Sequence, residues 1–293
     1  MIRSFLQYIQ YEKKYSSHTV LSYKADLQEF LSFLKQYSIA FDPKKITSED
    51  IRHWVLELMD NGLSSRSVNR KLSVLRSFYH FLNNKLWNEY YNPTTEVVLP
   101  KVKKTLPYFF KEKEMEEVLD VELGEDDFET VRNRLIIEFF YQTGIRVSEL
   151  ISIKDVDVDF VQKNISIIGK RNKQRLIPIG NGLIDEMNRY IALRDENVGV
   201  KTGFLFVNTK GSQLYREKVY RIIRSQMSEV SSLQKKSPHV LRHTFATAML
   251  NNGADLNVVK TILGHSSLAA TEIYTHATFE QLQSIYKQSH PRG

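Results

Sequence analysis

The sequence predicts a mainly α-helical protein of two domains, with a small antiparallel β-sheet in the C-terminal one. Three observations carry this. The 293 residues exceed what one domain of roughly 100–200 residues holds. The N-terminal part shows apolar side chains recurring at helical spacing. Between residues 156 and 179, three short β-type runs are separated by polar turns, and helical patterns resume after them.

Thr19 to Leu34 places Tyr23, Leu27, Phe30 and Leu34 on one helix face. Thr47, three residues before Asp50, forms a variant of the capping box. Ile51, Trp54, Val55, Leu58 and Met59 follow as an apolar stripe, and Asn61-Gly62 stops that helix. Ser65 opens a third helix with Val68, Leu72, Leu75, Tyr79 and Leu82 inward. This gives a helical N-terminal domain over 1–90. Residues 91–107 are rich in proline and lysine and lack periodicity, so they read as a linker. In the domain over 108–293, Phe128 to Tyr141 is a strongly apolar helix ending near Gly144. Strands are expected at 156–160, 164–168 and 175–179. Helices are expected at about 182–196, 215–229, 238–251, 255–263, 267–275 and 279–288.

Composition narrows the function classes. Hydrophobic residues make up 42% and charged residues 26%, as in globular proteins. No apolar run approaches the ~18 residues needed to span a bilayer. The N-terminus lacks the apolar core and cleavage site of a signal peptide, so a cytoplasmic location without membrane insertion is expected. Cysteine is absent, which excludes disulfides and thiolate chemistry. His239 and His243 are the only histidines spaced i,i+4, and Arg242 between them would repel a cation. Neither a metal nor a cofactor is therefore expected.

The formal net charge is +7. Residues 1–106 hold 16 Lys/Arg against 10 Asp/Glu, a surplus of six, whereas the remainder is nearly balanced. From Asn61 to Asn88 no acidic residue occurs, while Arg66, Arg70, Lys71 and Arg76 line the third helix. Such a run reads either as a solvated basic face or as a face laid on phosphates; the missing counter-charges favour the second.

Four segments carry candidate chemistry. Arg146-Val-Ser-Glu149 follows the apolar helix and, taken alone, reads as an ordinary ion pair at i,i+3. Apolar neighbours on both sides suggest partial burial, which demands a partner or an anion. Gly169-Lys170-Arg171-Asn172-Lys173 forms the basic tip of a hairpin: a solvated turn, or a loop offering a proton near phosphate. His239 and Arg242 share a helix face next to a start marked by Ser237-Pro238, where free N–H groups attract anions. Leu263-Gly-His265 precedes Tyr274 by nine residues. One unbroken helix would put these two on opposite sides, but Gly264 and Ser266-Ser267 break it.

Together and in this order, these residues resemble the tyrosine recombinase/integrase family, most closely its Xer branch. The resemblance covers nearly the whole chain. It implies that Arg146, Lys170, His239, Arg242, His265 and Tyr274 are the active-site residues. The family's lysine directly follows the hairpin glycine, which selects Lys170 over Lys173. Lys173 joins Arg66, Arg70, Lys71 and Arg76 as a candidate DNA contact. Gln174 stands where some relatives have an acidic residue. The resemblance further implies a C-shaped two-domain clamp on a double-stranded recombination site. It implies a homo- or hetero-tetramer, with a sister Xer recombinase as a possible partner. DNA would be cut and rejoined through a 3′-phosphotyrosyl intermediate and a Holliday junction, without metal or ATP. The expected role is resolution of chromosome dimers at cell division. The rivals are integration or excision of a mobile element, a type IB topoisomerase, and a DNA-binding protein without catalysis. The last segment, with Leu282, Ile285 and Tyr286, is either a tail packed on its own domain or, as the family implies, a tail docked on a neighbouring protomer.

The residue types suit that chemistry. Two guanidiniums fork the non-bridging oxygens of a phosphate and remain charged. Tyrosine, with a pKa near 10, needs a cationic pocket and a base to attack. His239 is placed to accept the phenolic proton, His265 to hydrogen-bond a phosphoryl oxygen, and Lys170 to protonate the leaving 5′-oxygen.

Overall fold

The computed structural model describes residues 1–86, 91–102, 108–120, 127–169, 174–199, 202–264 and 279–293. The chain divides into two compact units, Met1–Thr105 and Leu106–Gly293.

The first unit is built from α1 (Ile2–Gln7), α2 (Ser17–Gln36), α3 (Ser48–Asp60) and α4 (Ser65–Phe81). Polar side chains start these helices by taking N–H groups that have no intrahelical acceptor. Ser16 Oγ accepts from Thr19 N at 3.3 Å, and Ser64 Oγ accepts from Ser67 N at 3.3 Å. Thr47 and Asp50 form the expected reciprocal box, with Asp50 N donating to Thr47 Oγ1 at 3.2 Å and Thr47 N to Asp50 Oδ2 at 2.8 Å. Inside, Phe5, Phe30, Trp54 and Phe78 interlock, with Phe30 and Trp54 rings 4.9 Å apart. Part of the expected linker belongs to this core. Pro93–Glu96 makes a short 3-10 turn capped by Asn92, Pro93 and Thr94 are buried, and Val97 joins the cluster.

The second unit is organised around α6 (Phe128–Thr143), which follows the short α5 (Glu112–Leu119). Asp127 caps α6, its Oδ1 accepting from Glu129 N at 2.9 Å and Thr130 N at 3.1 Å. Leu135, Ile136, Ile137, Phe139 and Phe140 are all at 0% exposure, so α6 is enclosed on every side. Around it lie α7 (Val147–Leu150), the strands β1 (Val158–Asp159), β2 (Asn164–Ile168) and β3 (Gln174–Pro178), then α8 (Asn181–Asn197), α9 (Arg216–Val230), α10 (Pro238–Asn251), α11 (Leu256–Leu263) and α12 (Phe279–Ser289). The three strands form one antiparallel sheet in the order β1-β2-β3, its β2–β3 ladder running from Asn164↔Pro178 to Ile168↔Gln174. The fold is thus mainly helical with a small antiparallel sheet, as the sequence predicts. The helix expected at 267–275 lies outside the described residues.

The last segment packs on its own domain in the single chain. Tyr286 is buried and donates to Gln142 Oε1 at 3.2 Å. His290 sits among the rings of Tyr141, Phe245 and Tyr286. Its Nδ1 accepts from Arg292 N at 3.1 Å, so the neutral ring carries its proton on Nε2, which donates to Tyr141 O at 3.0 Å. Burial depresses the His290 pKa to about 4; the bond to Tyr141 opposes this and the Arg292 charge adds to it.

Candidate active site

The site begins at two glycines. Gly144 ends α6 and Gly264 ends α11, both left-handed, at φ +58° and +64°. This conformation lets each helix stop abruptly. Space also requires Gly144, because a Cβ there would stand 2.5 Å from Phe245 Cδ1 and 2.7 Å from Leu263 Cδ2. Two chain reversals are therefore pressed together, and arginines fill the junction.

Arg146 caps the short α7. Its backbone N donates to Glu149 Oε2 at 2.8 Å and its Nη1 to Glu149 Oε1 at 2.9 Å. Arg175, on β3, approaches the same carboxylate from the other side, with Nη1 at 3.1 Å from Oε1 and Nη2 at 2.9 Å from Oε2. Burial alone would raise the Glu149 pKa. The bonds and charge of Arg175, then those of Arg146, outweigh it and hold the carboxyl below the ordinary glutamate range. Arg242, on α10, is 9% exposed. Its Nη1 donates to Gly144 O at 2.5 Å and its Nη2 to Leu263 O at 2.6 Å. Burial and the Arg146 charge push its pKa down, Glu149 opposes and Arg175 adds, for a value of about 10 that leaves the guanidinium charged at neutral pH.

The end of α11 is taken one carbonyl at a time. Arg175 Nε donates to Ile262 O at 2.9 Å, Arg242 Nη2 to Leu263 O at 2.6 Å, and Arg146 Nη2 to Gly264 O at 3.2 Å. Terminal carbonyls lack intrahelical partners and carry the negative end of the helix dipole, so cations there are doubly favoured. Three arginines against one carboxylate still leave a positive surplus, and Arg146 keeps 32% of its side chain in solvent. Such a pocket suits an oxyanion.

Of the residues singled out from sequence, Arg146 and Arg242 come together here. His239 is exposed in the first turn of α10, right after Pro238 and three residues before Arg242. Lys170, Lys173, His265 and Tyr274 lie outside the described residues. The basic face of α4 divides. Arg66 is exposed. Lys71 corrects the expectation of a phosphate contact: it is 7% exposed and held by Asp26 at 3.0 Å and Glu29 at 2.6 Å. Arg70 also pairs with Asp26, and donates to Ser22 Oγ at 2.8 Å. Arg76 turns to Thr94 O at 3.3 Å and Val97 O at 3.2 Å. The acids missing from 61–88 are supplied by α2, out of reach of a local charge count. Arg175 lies just beyond the basic hairpin tip and belongs to none of the motifs. A signal existed: strand alternation puts it on the side of buried Ile177, where a charge needs a partner.

Comparison with known proteins fits this arrangement. The profile of the phage integrase family matches residues 108–281, and that of the phage integrase N-terminal SAM-like domain matches residues 2–85. The chain belongs to the phage integrase family. It is similar to "Tyrosine recombinase XerC" of Halalkalibacterium halodurans, 38% identical over 100% of this chain and 97% of the relative. The protein of the same name from Chlorobaculum parvum is 37% identical over 99% of this chain and 94% of the relative. The family makes the chain a DNA strand-transferring enzyme of the tyrosine recombinase class. Among solved structures, the XerH site-specific recombinase bound to difH substrate in a pre-cleavage complex aligns with TM-score 0.71 and 25% identity, covering 97% of this chain and 83% of that one. The Tn1549 transposon integrase with circular intermediate DNA shares the fold, with TM-score 0.69 and 20% identity, covering 97% of each chain.

Proposed function

We propose that this chain is a Xer-type site-specific recombinase that uses Tyr274 as nucleophile and resolves chromosome dimers at cell division. The observation that carries this is the pair Arg146 and Arg242, drawn from separate elements onto the adjacent carbonyls of Leu263 and Gly264. The next residue in sequence is His265, and Tyr274 follows nine later. A scissile phosphate bound by the two guanidiniums would thus lie near the chain segment that carries the nucleophile.

The chemistry follows from the groups. Tyr274 Oη attacks phosphorus and its proton passes to His239. The bond to the 5′-oxygen breaks, and Lys170 protonates that oxygen. His265 and the two arginines stabilise the charge gathering on the non-bridging oxygens. The 3′-phosphotyrosyl ester conserves the bond, so attack by another strand's 5′-hydroxyl reverses the step without ATP. Exchange between two duplexes calls for four protomers, copies of this chain or of a sister recombinase, acting on cytoplasmic DNA. The names of the full-length relatives support the Xer role.

Covalent trapping tests the reading. A nicked suicide duplex carrying a Xer-type site, incubated in EDTA without nucleotide, should yield an SDS-resistant protein–DNA band with the native chain. Tyr274→Phe should give none while shifting the same duplex in a gel. A band from Tyr274→Phe, or strict dependence of cleavage on Mg²⁺, would overturn it.

A further inference from the structure

We propose that Arg175 is a positioning residue for strand cleavage, coupling the hairpin strand β3 to the helix end that leads into His265 and Tyr274. The proposal rests on the cleavage chemistry above and adds a residue to it.

The geometry is specific. Arg175 spends all three guanidinium nitrogens on two targets: Nε on Ile262 O at 2.9 Å, and Nη1 and Nη2 on the two Glu149 oxygens at 3.1 and 2.9 Å. Its side chain is 13% exposed, so these bonds form largely away from water and gain strength. Glu149 in turn fixes the backbone and side chain of Arg146. One side chain therefore joins three segments: the strand that returns from the Lys170 hairpin, the helix start that holds Arg146, and the C-terminus of α11. The glycine at that terminus is fitted to it, since a Cβ on Gly264 would lie 3.1 Å from the Arg175 side chain. Arg175 is not needed to balance charge. Arg146 and Arg242 already supply the cations that face Glu149, and a third guanidinium adds to the repulsion on Arg242. What it adds is a rigid two-way fork, which a lysine cannot reproduce.

Positioning has a kinetic signature, because a displacement of about 1 Å near reacting groups costs on the order of 100-fold in rate. The test uses the full chain with Arg175→Lys and Arg175→Gln, single-turnover cleavage of the suicide duplex, and DNA affinity by gel shift. Both variants should bind the duplex as the native chain does and cleave it on the order of 100-fold more slowly. Arg175→Gln should also move the acid limb of the cleavage–pH profile upward, because Glu149 loses its strongest partner and keeps only Arg146 and the charge of Arg242. Arg175→Lys should return that limb towards its native place without restoring the rate. A general loss of structure would lower the rate equally at every pH. Native-like cleavage by Arg175→Gln, or a loss of rate that tracks a loss of DNA affinity, would overturn the proposal. A second arm needs no activity. Hydrogen exchange over the last turn of α11 should quicken in Arg175→Gln, and unchanged exchange would count against the proposal. Failure of the native chain to cleave would instead count against the recombinase reading, with the exchange arm still judging Arg175.

Discussion

Each unit of this chain gathers cations around a buried carboxylate, and the two clusters are built on opposite principles. In the first unit, Arg70 and Lys71 meet Asp26 and Glu29, two cations against two carboxylates. In the second, Arg146 and Arg175 hold the single carboxylate of Glu149, while Arg242 adds a third guanidinium bonded to the backbone carbonyls of Gly144 and Leu263. The first cluster is balanced in charge around buried Asp26 and Lys71, with Arg70 and Glu29 at its solvent-facing rim. The second carries surplus charge and an accessible edge at Arg146. A cation's fate is decided by the count of acids that reach it in space, not by those beside it in sequence.

Substitutions should separate the two clusters. The largest effect is expected at the cluster with surplus charge. Arg242→Lys or Arg146→Lys keeps the charge but loses the fork, and should slow covalent adduct formation by about 10²–10³-fold in a single-turnover assay. Near-native rates would mean that charge alone suffices there. At the balanced cluster, Asp26→Ala leaves Lys71 buried beside Arg70 with one fewer acid. It should lower unfolding free energy by about 3 kcal/mol in urea titration, the low end for a broken buried pair because Arg70 is half in solvent. Lys71→Met should restore much of that loss in the double variant, which a phosphate-binding Lys71 would not predict.

A buried neutral histidine offers a pH handle. His290 is neutral in the fold and its pKa is depressed to about 4, against 6.5 in the unfolded chain. The unfolded state therefore binds the extra proton first. The His290 contribution is fully present above pH 6.5 and is lost as pH falls from there toward 4, by roughly 3 kcal/mol in all. A His290→Leu variant should flatten that part of the stability–pH curve, and an unchanged slope would assign the acid sensitivity elsewhere. The smallest effect belongs to Arg66, an exposed residue of the α4 face. Arg66→Ala should reduce the salt dependence of DNA binding by about one unit of slope, whereas Lys71→Met should leave it unaltered.

Much of this was legible in the chain. The Thr47–Asp50 box, the enclosed α6 ending at Gly144, and the β2 and β3 runs follow from caps, periodicity and glycine, all of which are local. Arg146 and Arg242 could be named because their flanking residues carry a family pattern. What escaped was non-local. The burial of Lys71 depends on α2, some 45 residues away in sequence. The role of Arg175 depends on Glu149 and Ile262, 26 and 87 residues away. The turn at Pro93–Glu96 looked like a linker because prolines hide periodicity, yet Arg76 and the core draw it in. Charge patterning reports what a side chain carries, whereas its partners are settled by packing.

The pairing Ile167↔Arg175 has one more consequence. Side chains alternate along a strand, so sliding β3 by a single residue would aim Leu176 at Glu149 and turn Arg175 to the opposite face. Insertions between the closing pair Ile168↔Gln174 leave that alternation untouched and cost little. Length variation there should therefore spare the fold while slowing cleavage wherever it displaces Lys170, and a one-residue deletion inside β3 should silence the enzyme through Arg175. Redesign of this hairpin is bounded by Gln174 on one side and by Lys170 on the other.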